Sequence, residues 1–464
     1  MSKFKGKRVL IVGFGLSGIA AARYFSKQGA KVIVTDLKQP QDLEAQMKTC
    51  ADLKLEYELG RHNEETFKTV DLVIMSPGIP LNLKPLDATR AANIPITNEF
   101  DLAASLIKEP IIVVTGTNGK TTTTTLIGEM FKAEGRSPYI GGNIGKPLID
   151  YVVDGGPQGA KCDIVVSEVS SFQLELADKL VPSVAVFTNM EEDHLDRYGT
   201  MDAYIAAKKK LLKAADRNSY VVLNRDCPIV SQFASECHSR MIWFSKRNPM
   251  DIGGAFAENF VGCYLKPAEK KIIARFNGKE ESYDTSGLKL FGDHNKENLM
   301  AAICAARALG VSSKAIQSVI QSFAGVPHRL EFIRKKDGVF FFNDSKGTNV
   351  MSVKKSLEAF SKNPIILIMG GKDKNSEFAP LQDLVHDRVK MLILLGEAKE
   401  KINRALGDFT ETLLVGTFEE AVLLSFQKSR SGDIILLSPG CASYDMFKNF
   451  EERGEYFRKL VSQI

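Results

Sequence analysis

Short apolar runs recur along the chain, each followed by a stretch with helical period. RVLIVGFG opens the series, LSGIAAARYFSKQG reads as a helix, and KVIVTD is a second run that ends at Asp36. LVIMSPG and PITNEF carry the pattern to about residue 102. Continuous apolar runs alternating with helices predict a parallel sheet covered on both faces. Pro110 precedes a fresh run, IIVVTG, and the rhythm restarts there. It continues through DIVVSEVS, SVAVFTNM, a helix from about Tyr204 to Ala215, and YVVLN. Residues 240 to 290 differ: short alternating stretches such as KKIIARF lie between Gly, Asn and Pro. They predict an antiparallel excursion on the same domain. FGDHNKENLMAAICAARALG reads as an Ala-rich helix. After PHRLEF a third series follows, VFFFND, PIILIMGG, VKMLILLG and DIILLSPG, closing on a helix around 445–463.

The pattern therefore predicts an α/β protein of three domains. A Rossmann-like N-terminal domain spans 1–106. A central domain of P-loop type spans 107–326, with a mostly parallel sheet and a small antiparallel part. A second Rossmann-like domain spans 327–464. The length of 464 residues agrees, being too great for one hydrophobic core. A net charge of +5 is slight for this size and argues against a dedicated nucleic-acid binder. The seven cysteines are scattered without a CxxC pair, which fits reduced thiols in a cytosolic enzyme and disfavours a zinc site. The N-terminus runs straight into a strand, with no signal-peptide pattern, and no apolar run nears the roughly 18 residues that span a bilayer. A cytoplasmic protein without membrane insertion is expected. Nothing in the pattern demands an oligomer, so a monomer is expected.

Three groups of residues carry chemistry. GFGLSG places Gly13, Gly15 and Gly18 in G-x-G-x-x-G register between a strand and a helix, with Asp36 at the end of the next strand. Such a turn lets backbone approach an anionic ligand at a helix N-terminus. On its own it fits NAD or FAD, another nucleotide, or no ligand. VVTGTNGKTTTT is the second group. A strict Walker loop needs a glycine where Val114 stands, so the pattern departs from it. The physics survives: small residues turn the chain, Lys120 opens a helix, and Thr121 offers a hydroxyl suited to Mg²⁺. The third group is acidic. Glu168 ends the strand in SEVSSF, and His194 follows another strand end amid Glu191, Glu192, Asp193 and Asp196. Lys208 to Lys210 read most simply as an exposed basic helix face. Two phosphate-type loops in one chain suggest one nucleotide as energy source and an anionic group in the substrate.

GTNGKTT, SEVSSFQLE, TNMEEDHLDRYG with the following AAK, GDHNKEN, PHRLE, NDSKGTN and SPGCASYDMFKNFEERG occur in this order along nearly the whole chain. Together they resemble the Mur ligases, and NDSKGTN with the SPGCAS ending resembles the D-glutamate-adding branch in particular. The phosphate loop and the Glu/His pair are shared with the wider superfamily, folylpolyglutamate synthetases included. The resemblance implies ATP and Mg²⁺ as cofactors, and UDP-N-acetylmuramoyl-L-alanine and D-glutamate as substrates. ATP would phosphorylate a carboxylate, and an amine would then displace phosphate.

The resemblance also implies roles, residue by residue. Gly116, Thr117, Asn118, Gly119, Lys120, Thr121 and Thr122 would hold ATP, with Lys120 on the β- and γ-phosphates. Asn298, Arg329 and Asp344 complete that set. Thr121 and Glu168 would hold one Mg²⁺ and His194 a second. Lys208 matches a lysine that the family carbamylates, which turns a cation into an anionic oxygen ligand; Lys209 and Lys210 would stay solvated. Leu16, Ser17, Asp36, Gly78, Asn143 and His194 would bind the UDP-substrate. Lys346, Thr348, Lys374, Ser443 and the Phe450 backbone would bind D-glutamate. Three sites on three domains imply domain closure during the reaction. An NAD-dependent oxidoreductase would leave GTNGKTT, Glu168 and NDSKGTN unused, and a non-catalytic nucleotide-binding module would leave Glu168, His194 and Lys208 unused.

Overall fold

The computed structural model describes residues 3–154, 162–288, 290, 292–360, 363–373 and 376–464, without the side chains of Asp154 and Asp196. The chain forms two compact units, Met1–Ser286 with Glu297–Ile320, and Gly287–Lys296 with Gln321–Ile464.

The first unit contains two sheets. One joins β1 (Arg8–Val12), β2 (Lys31–Asp36), β3 (Leu55–Leu59), β4 (Leu72–Met75) and β5 (Ile96–Asn98) in the order β3-β2-β1-β4-β5. All its pairings are parallel. The other comprises β6 (Ile111–Thr115), β7 (Pro138–Gly142), β8 (Ile164–Glu168), β9 (Val184–Phe187), β10 (Tyr220–Asn224), β11 (Arg240–Ser245), β12 (Gly262–Lys266), β13 (Lys271–Phe276) and β14 (Lys279–Asp284). Its order is β14-β13-β12-β11-β10-β9-β6-β8-β7. The antiparallel excursion is smaller than the alternation predicts. β11 and β12 still run parallel to β10 and β11, and only the β12–β13 and β13–β14 pairings are antiparallel. The half-exposed pattern of β11 imitates a hairpin strand, although its edge is covered by β12.

In both sheets the chain crosses from one side of the first strand to the other. The strand order thus reverses beside β1 and beside β6, the positions where parallel sheets open a crevice at their carboxyl ends. One apolar core serves both sheets. Val9, Ile11 and Phe25 belong to the same cluster as Phe100, Ile149, Val165 and Leu211. The helix Glu99–Leu106 lies at the junction and packs on the helices Leu16–Lys27 and Leu148–Asp154. Its Phe100 is wholly buried, a burial that contributes about 2–3 kcal/mol.

The second unit is built on β15 (Glu331–Lys336), β16 (Val339–Asn343), β17 (Ile365–Gly370), β18 (Val389–Leu395), β19 (Glu411–Leu414) and β20 (Ile434–Leu437), ordered β15-β16-β20-β17-β18-β19. β15 alone is antiparallel to its neighbour. Side chains alternate across the sheet: Ile365, Leu367 and Met369 enter one apolar cluster, and Ile366 and Ile368 the other. Because β16, β20 and β17 are neighbours, the loops that follow them meet at one edge, where Lys372 bridges Ala442. Among the described residues no helix is long and apolar enough to cross a membrane.

Arg453 secures that loop edge. It is 1% exposed, and burial lowers its pKa to about 10. Its Nε donates to Ser345 Oγ (3.0 Å) and its Nη2 to the Ser345 carbonyl (2.8 Å). Nη1 and Nη2 both reach the Cys441 carbonyl, at 3.3 and 3.2 Å. Arg453→Ala leaves two buried carbonyls without donors. The expected loss is about 3 kcal/mol, read as a lower urea midpoint for the second unit in the full chain; an unchanged midpoint would refute this role.

Candidate functional site

The phosphate loop leaves β6 at Thr115 and enters the helix Lys120–Ala133. Two of its glycines are dictated by contact as well as by backbone angle. Gly116 has φ +143°, and a Cβ there would fall 2.0 Å from Thr188 Oγ1. Gly119 has φ +79°, and its Cβ would fall 2.0 Å from Asn298 Oδ1. The missing Walker glycine is therefore replaced by a tighter turn that presses against the end of β9. Thr117 N donates to the Asn189 carbonyl (2.9 Å), Asn118 N to Asn189 Oδ1 (2.8 Å), and Thr188 Oγ1 to the Asn118 carbonyl (2.6 Å). Lys120 folds back over the loop, donating to the carbonyls of Gly116 (3.1 Å) and Thr117 (2.8 Å). Thr121 and Thr122 follow in the first helical turn, both buried.

Lys208 is not on an exposed basic face. It is 1% exposed on the helix Met201–Ala214, which Thr200 caps through the Ala203 N–H (3.2 Å). Its Nζ donates to the Gly116 carbonyl at 2.8 Å and lies 4.8 Å above the Tyr204 ring. The Tyr204 hydroxyl in turn meets Thr117 Oγ1 at 3.2 Å. Burial depresses the Lys208 pKa well below the ordinary lysine value, and the Lys120 charge adds to this against Asp193 and Glu168. Lys209 and Lys210 are also held by protein groups rather than merely solvated. Lys209 pairs with Glu236 and covers Phe233 at 5.3 Å, and Lys210 donates to the Glu175 carbonyl.

Glu168, at the end of β8, is 3% exposed and faces the phosphate loop. Its Oε2 accepts from Thr121 Oγ1 (2.7 Å) and its Oε1 from Asn143 Nδ2 (2.8 Å). A buried carboxylate against a hydroxyl is a hard-oxygen donor pair of the kind Mg²⁺ selects. His194 lies in the left-handed region at φ 54°. Its ring packs 4.8 Å from Phe172 and 6.2 Å from Tyr204, with Nε2 3.6 Å from Asp193. A cavity of about 870 Å³ in the first unit is lined by His194, Gly78, Phe172, Arg197, Tyr198 and Lys210, among others. Among the described residues there is no group of three or more His, Cys, Asp or Glu that would chelate a metal alone.

The Gly-rich turn after β1 is closed from within. A Cβ on Gly18 would fall 2.1 Å from the Gly13 carbonyl, so helix and loop touch there. Asp36 does not present an open carboxylate. It accepts from Phe14 N (2.8 Å) and Lys38 N (2.9 Å). Leu16 is 73% exposed at the turn and Ser17 half-buried beside it.

Asn298 is buried against Gly119, not on a helix surface. In the second unit, the Asp344 carboxyl is buried and turned onto the protein. Oδ2 accepts from Ser356 and Ser438 (2.7 Å each), Oδ1 from Leu330 N (3.3 Å), and burial pushes its pKa up to about 6. Arg329 acts on the same carboxyl and lowers it. Lys346 holds its Nζ 5.5 Å from the Phe450 ring, and its N–H donates to the His328 carbonyl (3.0 Å). Thr348 N donates to the Lys346 carbonyl (2.8 Å), and the Phe450 carbonyl accepts from Ser345 Oγ (2.8 Å). Ser443 is 2% exposed, and its carbonyl receives the Phe447 N–H (2.8 Å). Lys374 lies outside the described residues.

Several residues at these sites escape sequence reasoning. Tyr204 bears on Lys208, Arg197 grips Glu175 while reaching the Ile79 carbonyl (3.2 Å), and Arg453 underlies the NDSKGTN loop. Tyr204 stands at i−4 from Lys208, a spacing that puts both on one helix face. Arg197 and Arg453 lie within quoted motifs, but charge alone does not tell a buried arginine from a solvated one.

The sequence matches three family domains in order. Residues 7–98 match the Mur ligase MurD-like N-terminal domain, 114–306 the Mur ligase middle domain, and 328–441 the Mur ligase glutamate ligase domain. The UDP-N-acetylmuramoylalanine–D-glutamate ligase of Bdellovibrio bacteriovorus is 46% identical, over 100% of this chain and 99% of its own. The enzyme of the same name from Geotalea uraniireducens is 44% identical, over 99% and 98%. Among solved structures, a pseudomurein peptide ligase type C from Methanothermus fervidus shares the fold with a TM-score of 0.56 at 22% identity, over 99% of this chain and 100% of that one. The UDP-N-acetylmuramate-alanine ligase MurC from Thermotoga maritima does so with a TM-score of 0.56 at 20% identity, over 98% and 99%. With a buried lysine over a phosphate loop, and full-length relatives at this identity, the chain belongs to the Mur ligase family of ATP-dependent amide ligases.

Proposed function

We propose that this ligase joins D-glutamate to the L-alanyl carboxylate of UDP-N-acetylmuramoyl-L-alanine, as a monomer in the cytoplasm. The full-length match to enzymes named for that reaction supports the substrates. The observation that carries the chemistry is Lys208, buried beside Lys120 on the Gly116 carbonyl. Residues 1–106 would hold the UDP-substrate, 107–326 ATP, and 327–464 the amino acid. The substrate carboxylate oxygen attacks the γ-phosphorus, and the bond to the bridging oxygen breaks as ADP leaves. The amine of D-glutamate then attacks the acyl carbon, phosphate departs, and the nitrogen loses a proton.

This chain's residues meet those demands in turn. Lys120 supplies a cation at the first turn of the loop helix, where charge builds on the transferred phosphoryl group. Thr121 and Glu168 would hold Mg²⁺, with His194 and carbamylated Lys208 serving a second ion. Bound there, Mg²⁺ would supply charge neutralisation for phosphoryl transfer. Carbamylation requires a neutral amine, and the burial that lowers the pKa of Lys208 favours that form. Gly116, Thr117, Asn118, Gly119, Thr122, Asn298, Arg329 and Asp344 would complete the ATP site. Leu16, Ser17, Asp36, Gly78, Asn143 and His194 would take the UDP-substrate, and Lys346, Thr348, Lys374, Ser443 and the Phe450 backbone the D-glutamate.

Phosphate release from ATP with UDP-N-acetylmuramoyl-L-alanine is expected to require D-glutamate. Release indifferent to D-glutamate, or supported instead by L-alanine or a diamino acid, overturns the substrate assignment. Lys120→Ala is expected to abolish release with an unchanged circular dichroism spectrum. Lys208→Ala is expected to lose activity and regain part of it with added short carboxylates; an equal rate with and without them sinks the carbamate.

A further inference from the structure

Arg197 stands where three segments of the first unit meet, and its side chain touches both of the others. It lies in the short helix Leu195–Tyr198 that follows His194, and its side chain is 13% exposed. Nε and Nη2 donate to Glu175, at 3.2 Å to Oε1 and 2.6 Å to Oε2. Nη2 also donates to the Ile79 carbonyl (3.2 Å), and Nη1 lies 3.5 Å from the Gly78 carbonyl. The guanidinium carbon is 4.6 Å from the centre of the Phe172 ring. A planar cation with a fixed fork of donors serves two acceptors and an aromatic face at once; a lysine offers no such fork.

The Ile79 end leads to the Gly-rich turn. Ser76 to Ile79 form a tight turn after β4, closed by the Ile79 N–H on the Ser76 carbonyl (3.0 Å). Ser76 Oγ donates to the Gly13 carbonyl (2.8 Å). A Cβ on Gly13 would fall 2.9 Å from the Ser76 Cβ and 3.0 Å from the Ile79 side chain, so the two turns touch directly. The Glu175 end leads the other way. Phe172 and Glu175 come after β8, the strand that ends in Glu168. Phe172 packs 4.8 Å from the His194 ring and stacks on Tyr198 at 5.9 Å. The Glu175 carbonyl accepts from Lys210, on the helix that carries Lys208. Arg197 thus completes a run of contacts from Gly13 to the Lys208 helix.

The cavity of about 870 Å³ lies among the segments that Arg197 joins. Gly78 and Leu81 line it from the first segment, Phe172 from the second, His194 from the third, and Ala203 and Ala207 from the Lys208 helix. Glu175 neutralises the guanidinium, so the pair offers the cavity no net charge with which to hold an anion. We propose that Arg197 is a positioning residue for the reaction: by joining the Ser76–Ile79 turn to Glu175 and Phe172 it sets the width of this cavity, and with it the place of the substrate's acyl end relative to His194. This rests on the reading of Gly78 and His194 as UDP-substrate residues.

The test measures the KM values for UDP-N-acetylmuramoyl-L-alanine and ATP, and thermal midpoints, for the full chain as wild type, Arg197→Lys, Glu175→Gln and the double variant. Arg197→Lys keeps the charge and loses the fork. It is expected to raise the KM of the UDP-substrate by about tenfold, the worth of one charge-assisted hydrogen bond, with the KM for ATP within about twofold. Glu175→Gln should raise the same KM. The double variant should stay within about twofold of Arg197→Lys, because the two groups act as one joint. A lower midpoint with an unchanged KM would make the pair a structural ion pair only and overturn the proposal. A parallel rise in the KM for ATP, or multiplied effects in the double variant, would also overturn it. So would a fall in the KM with Glu175→Gln, which would mark Arg197 as a direct ligand of the substrate released from its partner. Deuterium uptake checks the underlying reading: adding UDP-N-acetylmuramoyl-L-alanine to wild type should slow exchange in residues 76–82 and 171–175. No slowing overturns the reading of Gly78 and His194, and the proposal with it; slowing beside unchanged KM values in the variants overturns the proposal alone.

Discussion

One backbone carbonyl organises the region around the phosphate loop. The oxygen of Gly116 accepts from Lys120 on its own loop helix and from Lys208 on a helix far along the chain. Two ammonium groups on one acceptor repel each other, and the buried one yields first. The packing that brings Lys208 there also removes its water, so repulsion and desolvation act in the same direction. Tyr204 closes the remaining side, tied by its hydroxyl to Thr117. A lysine so enclosed gains from losing its charge, and this is the condition under which an amine becomes reactive.

The same carbonyl explains the departure from the Walker spacing. A strict Walker loop runs longer than the four residues, Gly116 to Gly119, that join β6 to its helix here. The shorter one presses Gly116 onto Thr188 and Asn189, and Gly119 onto Asn298, with no room for a side chain at either glycine. The loop, the Glu168 carboxylate and the Lys208 helix are thereby held in one register, through Thr121 and the Gly116 carbonyl. Glu168 extends the register to Asn143.

How far the chain is legible depends on the kind of signal. β1, β2, β4, β6, β8 to β10, β16 to β18 and β20 announce themselves as apolar runs, because strands buried on both faces have no polar side. β3, β15 and β19 lie at sheet edges and carry charges or partial exposure, and β7 is a glycine-rich edge strand opened by proline, so period gives them no voice. Lys120, Thr121 and Glu168 are readable from strand ends and loop spacing, which place them at one sheet edge. Lys208 is different. Its sequence neighbourhood, AAKKKLL, reads as a solvated face, and only tertiary packing separates it from Lys209 and Lys210. The family resemblance singles it out, and the burial supplies the reason. The burial of Glu99 has no local signal, since a glutamate in the first turn of a helix is favoured there by the helix dipole alone.

The margins of the nine-stranded sheet carry a consequence for the protein in a crowded cell. One margin is β14, KEESYD, mostly exposed and crowded with charge; the other is β7, which begins at Pro138 and ends in two glycines. An open strand edge is a template on which another chain can hydrogen-bond. A charged edge makes that docking electrostatically costly, and proline withholds a donor from it. The antiparallel hairpin is therefore more than a decoration on the ATPase sheet: it ends a ladder whose inner strands, Val–Ile–Phe rich, would otherwise invite its continuation into fibres.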